Sequence, residues 1–321
     1  MEREHPISFD LSALGHQFFS QTVDGLTLGS IYALIALGYT LVYGVLRLIN
    51  FAHSEIFALG IYATIFTIDG MGVTGSRTGL SLVLTLGALL LISMATSGAA
   101  ALLMERVAYR PLRRRNAPRL TALITAIGIS LVIQEFLALR YGRQQINSQR
   151  VLEKSTVFTI GDAQVRTDKV LVFVAAILLM VGLDQFVRRS RLGRGIRATA
   201  QDSETAQLMG VNIDRVVALT FLLGGILAGA GGFLFAIFFE TARFNIGFLP
   251  GIKAFTAAVL GGIGNIRGAL MGGLLLGLLE NYGAAVFGGE WKDVFAFLVL
   301  VLVLLFRPSG LLGETLGRAR A

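Results

Sequence analysis

LTLGSIYALIALGYTLVYGVL, Leu26 to Leu46, runs twenty-one residues without a charged side chain. As a helix that length crosses a hydrocarbon core about 30 Å thick. Thr78–Met104 and Val216–Phe239 are equally free of charge. Because lipid offers no hydrogen bonds to the backbone, each of these runs must satisfy its own polar groups, and a helix does so. The rest of the chain is of the same character, with 54% apolar and 15% charged side chains and a mean hydropathy of +0.71 over 321 residues. That excludes a soluble enzyme, a secreted disulfide scaffold and a disordered tail.

Further spans carry an ionisable group near one end: residues 50–68 hold His53 and Glu55, 120–139 hold Glu135, and 170–187 hold Asp184. Snorkelling or an interface relieves each charge. Beyond Phe239 the apolar pattern falls into short pieces: Ala254–Ile266, Gly268–Leu279 with continuation past Glu280, and Val294–Phe306. Short, glycine-interrupted segments predict broken helices beside a transport path. The expected fold class is an all-α polytopic membrane protein, one transmembrane permease domain over residues 1–321 with about eight or nine membrane-spanning segments. Glu2, Arg3, Glu4 and Asp10 precede the first apolar run, which is not the basic start of a cleaved signal.

The net charge is +8 and the pI about 10.2. In a membrane chain this basicity reports arginine-rich cytoplasmic loops rather than a nucleic-acid partner. Arg106, Arg110, Arg113, Arg114, Arg115 and Arg119 crowd one loop; Arg188, Arg189, Arg191, Arg194, Arg197 and Arg215 crowd another. Both are expected in the cytoplasm, together with the C-terminus and its Arg307, Arg318 and Arg320. Parity then sends the loop 140–169 outside despite its Arg140, Arg143, Arg150, Lys154, Arg166 and Lys169. Within it, Ser155–Ile160 and Ala163–Thr167 are β-prone runs joined by Gly161-Asp162, predicting a small extracytoplasmic hairpin.

With no Cys there is no disulfide, thiolate zinc site or iron–sulfur cluster, and three His leave little for a metal. No cofactor is expected. The 39 Gly form small-residue stripes: Gly25/Gly29/Ala33, Gly224/Ala228/Gly232, Gly268/Gly272 and Ala269/Gly273/Gly277. Such stripes serve internal packing or a subunit interface.

The segment 188–215 contains GRGIRATAQDSETAQLMGVN, Gly193 to Asn212, a polar stretch with helix punctuation. Thr199 is placed to N-cap with Asp202 three residues on, and Gly210 supplies the left-handed end. A helix of about three turns would present Ala206 and Met209 together, as a docking strip or as an interfacial linker.

These stretches carry a resemblance. GLTLGSIYALIALGYTLVYGVLRLINFAHSEIFALGIY (Gly25–Tyr62), ERVAYRPLR (Glu105–Arg113), the Gly193–Asn212 segment, GIKAFTAAVLGGIGNIRGALMGG (Gly251–Gly273) and FRPSGLLG (Phe306–Gly313) stand in order along the chain. The sequence resembles the LivH-type permeases of branched-chain amino acid ABC importers over nearly its full length. Ser54 departs from the glycine common in that family. The resemblance implies a bacterial inner-membrane subunit paired with a second related permease. It further implies two ATP-hydrolysing subunits, an extracytoplasmic substrate-binding protein and an amino acid substrate. It also implies that 188–215 couples to the ATPase, with Arg197, Asp202, Ala206, Met209 and Gly210 as its residues. No G-x-x-x-x-G-K-[ST] loop occurs, so the chain is not expected to bind ATP through that motif, and its energy comes from a partner or from an ion gradient.

For the substrate path, Asn50, Phe51, His53 and Glu55 cluster at the start of one helix, and Asn245 and Lys253 flank the start of a short one. Broken-helix ends suit a zwitterion. Glu280 is the deepest charge by sequence. Competing readings are a gradient-driven secondary transporter or channel using Glu55, Glu135, Asp184 and Glu280 as a proton relay, and an ABC permease for urea or short amides. A Ser54–His53 hydrolase is disfavoured, because adjacent residues on a helix point about 100° apart.

Overall fold

The computed structural model describes residues 17–313 apart from 74 and 308. The expectations for Glu2, Arg3, Glu4, Asp10, Arg318 and Arg320 lie outside the described residues. In chain order the helices are α1 (Phe18–Leu46), α2 (His53–Gly70), α3 (Gly79–Met104), α4 (Arg110–Arg114), α5 (Arg119–Tyr141), α6 (Thr167–Arg189), α7 (Arg191–Gln201), α8 (Ser203–Leu208), α9 (Ile213–Phe239), α10 (Phe248–Gly261), α11 (Ile266–Phe287) and α12 (Lys292–Phe306). A π turn at Glu105–Tyr109 joins α3 to α4. Six helical stretches are long and apolar enough to cross a membrane: α1, α3 with α4, α5, α6, α9 and α11.

Apolar all round, α1 is the buried centre of the bundle, as a helix without a polar face must be. By contrast α3, α5 and α12 expose Leu80, Leu84 and Leu91, Leu131, Val132 and Phe136, and Leu298, Val301 and Leu305. Such faces suit hydrocarbon and not water. The glycine stripes act inside the chain. A Cβ on Gly25 or Gly29 of α1 would strike the α11 backbone at Gly277 or Gly273, and one on Gly232 of α9 would strike the α2 backbone at Phe57; Gly225 and Gly229, outside the expected stripe, meet the α3 backbone at Ser97 and Ser93.

Arg47 takes a left-handed φ of 51° and turns the chain back into the bundle. The His53 ring lies against Gly38, which stands eight residues before the end of α1, or about 12 Å along its axis. Thus α2 begins deep in the bundle, and the first turn of α10 stands on it through Gly247, Gly251 and Ser54.

The short pieces expected after Phe239 are corrected in two places. First, Gly268–Leu279 is part of one unbroken α11, with Asn265 Oδ1 accepting from the amides of Arg267 (3.0 Å) and Gly268 (3.2 Å) as its N-cap. Second, the helix expected over 254–266 is α10, which starts at Phe248 and stops at Gly261. Its first turn admits Pro250 because no intrahelical donor is needed there. The break falls at Gly262 (φ 104°) and Gly264 (φ 98°).

The hairpin forms as β2 (Thr156–Ile160) with β3 (Ala163–Arg166), Phe158 opposite Val165 and Ile160 opposite Ala163. Gly161 has φ 57° at the first turn position, where a two-residue hairpin turn admits glycine. A second pair joins β1 (Ile146–Asn147) to β4 (Thr241–Ala242). Contacts gather the loops at two ends. The hairpin end unites Ser20 with Asp162 (3.3 Å), Arg77 with Val151 (3.0 Å) and Ser148 with Glu240 (2.8 Å). The arginine-rich end unites Arg113 and Arg114 with Asp214, and Leu311 and Leu312 with the carbonyls of Leu260 and Gly261 (2.8 and 3.0 Å).

Candidate functional site

A cavity of about 910 Å³ lies among α1, the end of α9, α10, α11 and the start of α12. Asn245, Lys253 and Glu280, three of the residues singled out from sequence, line it together. Lys253 Nζ donates to Glu280 Oε1 at 2.8 Å and stands 2.6 Å from Asp293 Oδ1. Tyr32 OH donates to the same Glu280 oxygen at 3.5 Å. Glu280 and Lys253 are buried, and Glu280 Oε2 has no hydrogen-bond partner among the described residues. Burying an ion pair is costly unless its geometry is good, so the two short contacts to Lys253 hold this wall together. Asp24, with Lys169 at 2.5 Å, Arg166, Arg243 and Lys292 add further charge, and Leu28, Ile31 and Phe235 give an apolar side.

Asn50, Phe51, His53 and Glu55 stand apart from this cavity, around the start of α2. Asn50 Oδ1 accepts from the Ala52 amide (3.2 Å) and Tyr109 OH (3.0 Å). Phe51 leans on Phe255 with ring centroids 6.1 Å apart, and His53 packs edge-on to Tyr39 at 4.8 Å. Glu55 Oε1 accepts from Gln134 (2.8 Å), Ser130 (3.3 Å) and Ser54 (3.3 Å), which ties α2 to α5. Ser54 also donates to the Phe51 carbonyl at 3.0 Å.

The four carboxylates of the relay reading occupy four separate places. Glu135 meets Arg143 (2.7 Å) at an exposed site, Asp184 meets Arg188 (2.9 Å), Glu280 meets Lys253, and Glu55 meets neutral donors. Tyr32 and Asp293 were not singled out from sequence. Tyr32 is one aromatic residue in a charge-free span, and Asp293 reads as an ordinary first-turn carboxylate; only the fold brings them to Lys253.

At the other end, the single three-turn helix expected in 188–215 is two helices, α7 and α8. Ser190 caps the first by accepting from the Gly193 amide at 2.8 Å. Thr199 is buried inside α7 and caps nothing; Asp202 caps α8, accepting from the amides of Glu204 (2.9 Å) and Thr205 (3.2 Å) and the Thr205 hydroxyl (2.5 Å). Those bonds, the hydroxyl first, hold the Asp202 carboxyl below its ordinary range. A capping-box spacing does not say which of its polar ends is the cap, so Thr199 reads as one in the sequence. Gly210 (φ 85°) ends α8 as expected, with Gly210 N donating to Gln207 O and Val211 N to Ala206 O, a Schellman arrangement. Arg197 donates to the Val187 carbonyl and braces α7 on the end of α6.

The shared face of Ala206 and Met209 is also corrected. Ala206 is 4% exposed and turned into its own chain, whereas Leu208 and Met209 are 88% and 80% exposed. In so short a helix the apolar strip is set by which side meets α7 and α9, and that is not written in the spacing.

Membrane-length helices around a cavity of mixed charge define a membrane permease. The chain belongs to the family described as branched-chain amino acid transport system permease component, whose model matches residues 21–304. It is 44% identical over 302 residues to the high-affinity branched-chain amino acid transport system permease protein BraD of Pseudomonas aeruginosa, covering 93% of this chain and 97% of that one. Against the permease protein LivH of Escherichia coli K12 the identity is 44% over 305 residues, 92% of this chain and 96% of the relative. A probable LivH of Methanocaldococcus jannaschii is 28% identical over 296 residues, 88% and 89% of the two chains. No solved structure matches the chain.

Proposed function

We propose that this chain is the membrane-spanning permease subunit of an ABC importer for branched-chain amino acids in the bacterial inner membrane. The observation that carries the reading is the mixed-charge cavity inside a bundle whose relatives are named for branched-chain amino acid transport. A substrate with both charges and an apolar side chain suits such a cavity. The subunit pairs with a second related permease, receives substrate from an extracytoplasmic binding protein at the hairpin end, and meets two ATPase subunits at the arginine-rich end. Energy comes from ATP hydrolysed by those partners. Reconstituted alone under a proton or sodium gradient, the chain is expected to accumulate no leucine. Gradient-driven uptake by the single purified chain would overturn the reading.

In this topology the six long helices together with α2, α10 and α12 make nine membrane segments, and residues 309–313 lie in the cytoplasm. Arg140 apart, the basic residues of the loop 140–169, which conflict with an outside location by composition, are ion-paired, Arg143 with Glu135. Arg150 and Lys154 meet Glu240, Arg166 meets Asp168, and Lys169 meets Asp24. Arg106, Arg115, Arg119, Arg189, Arg191 and Arg194 make no ion pair among the described residues, leaving a net positive field for the cytoplasmic side. The chain lacks Cys, so a single thiol reports sidedness. Val157, exposed on β2, is the position for it outside, whereas the turn residue Gly161 has a positive φ and abuts Phe19. Val157→Cys is expected to react with an impermeant reagent on intact cells while Arg114→Cys is protected; the reverse pattern would invert the topology.

A further inference from the structure

The buried wall at Lys253 is arranged for exchange. Lys253 holds two carboxylates at once, Glu280 at 2.8 Å and Asp293 at 2.6 Å. The two differ in environment. Glu280 is buried on α11, with Tyr32 and Lys253 both donating to Oε1 and Oε2 left without a donor among the described residues. Asp293 is about half exposed at the first turn of α12, where water can take it over at little cost. A buried carboxylate oxygen without a donor is costly in a protein and calls for a partner. Here the residue that carries it belongs to the lining of a cavity with room for a ligand.

We propose that Glu280, Lys253 and Asp293 form a subsite in the permease itself for the charged end of an α-amino acid. The proposal rests on the permease reading above and names the residues that would recognise the substrate. The α-ammonium donates to Glu280 Oε2. The α-carboxylate takes the place of Asp293 on Lys253, so that Lys253 exchanges one carboxylate for another and stays fully paired. The branched side chain lies along Leu28, Ile31 and Phe235. Urea or a neutral amide brings no carboxylate to replace Asp293 and no cation for Glu280, so this subsite selects against it. A ligand with only one of the two charges leaves either Lys253 or Glu280 Oε2 no better paired than before.

The test keeps the native charges in place. In the membrane-embedded complex with its partner permease and ATPase subunits, without binding protein, Leu249→Cys puts one thiol on the cavity wall of an otherwise Cys-free chain. Its modification by a charged methanethiosulfonate is followed by the mass of this chain. Millimolar L-leucine is expected to slow the reaction at least threefold. 4-Methylpentanoate, which lacks the ammonium, and acetamide are expected to leave it unchanged, and 3-methylbutylamine, which meets Glu280 Oε2 but leaves Asp293 on Lys253, to slow it less than leucine does. No protection by leucine, or equal protection by a one-charge analogue, overturns the proposal.

Glu280→Gln is expected to abolish the protection and lower ATP-driven leucine uptake at least tenfold in the full importer. Lys253→Gln with Glu280→Gln removes both buried charges and separates recognition from support. Uptake restored to within twofold of the parent would assign the pair a structural role and overturn the subsite, whereas a persistent tenfold loss supports it. Leucine uptake by the parent importer, with no protection of the thiol in the Leu249→Cys variant, refutes the subsite alone. Absence of any branched-chain amino acid uptake by the parent refutes the permease reading.

Discussion

Leu208→Asp with Met209→Asp is expected to weaken binding of the ATPase subunits at least thirtyfold and to remove ATP-driven uptake, while the permease still inserts and folds. The two side chains are exposed on a helix with its own cap at Asp202 and its own stop at Gly210. Burying one such side chain in a partner's groove stabilises a complex by about 1.5 to 3 kcal/mol. Anchors of that kind commonly dominate an interface at about 2 kcal/mol or more, and each 1.4 kcal/mol is about a tenfold change in affinity. A carboxylate in the same groove adds the cost of desolvation. The fold is spared because neither side chain packs in the chain; a carboxylate near the end of the helix costs a few tenths to about 1 kcal/mol through the dipole.

Gln207→Asp, exposed on the same turn, is the control for added charge and is expected to behave as the parent. Co-purification of the ATPase subunits and uptake in proteoliposomes are the measurements. Normal values in the double variant would remove the coupling role from α8. Ala206→Trp asks a different question: with Ala206 buried, the indole is expected to disturb the seating of α8 on its own chain before any partner arrives.

How much of this was legible depends on whether the signal is local. Charge-free runs announce spanning helices because lipid tolerates little else, and α3 and α9 follow those runs closely, whereas α1 starts before its run, at Phe18, and takes in Asp24. Gly161-Asp162 between β-prone runs announces a hairpin for a reason contained in four residues. The depth at which α2 starts is not local, since it follows from Arg47 turning back and from Gly38 making room for His53. Charge misled at Glu55, which is buried against neutral donors rather than relieved by snorkelling or an interface, and at Lys253. Lys253 reads as the edge of an apolar segment, but it lies within α10, paired with carboxylates 27 and 40 positions further along the chain. For the same reason Lys253 and Glu280 could be named as polar residues in apolar surroundings, whereas Tyr32 and Asp293 could not.

The crossing of α1 and α11 is a close backbone contact of the bundle, and Gly29→Leu is expected to be strongly damaging there. A Cβ at Gly29 would lie 2.7 Å from the Gly273 carbonyl oxygen and 2.9 Å from the Leu274 Cα. Both obstacles are backbone, so no rotamer change relieves the clash and the helices themselves must separate. Overpacking costs about 1 to 3 kcal/mol where side chains can adjust, and here the upper end or more is expected. In lipid the loss is direct, because close backbone contact is itself the source of helix association. Gly182→Leu on α6 is the control: nothing lies within 4 Å of its Cβ position, and replacing glycine in a helix gains up to about 1 kcal/mol. In detergent, Gly29→Leu is expected to melt several degrees below the parent or to elute as aggregate, and Gly182→Leu at or above it. Equal stability of the two would mean that α1 and α11 do not approach as closely as the glycines allow. The consequence reaches the cavity, because Tyr32 stands three residues from Gly29 and Glu280 three from Gly277 on the same two helices. A milder Gly29→Ala that still folds is therefore expected to lower leucine uptake, by drawing Tyr32 away from the Glu280 oxygen that it shares with Lys253.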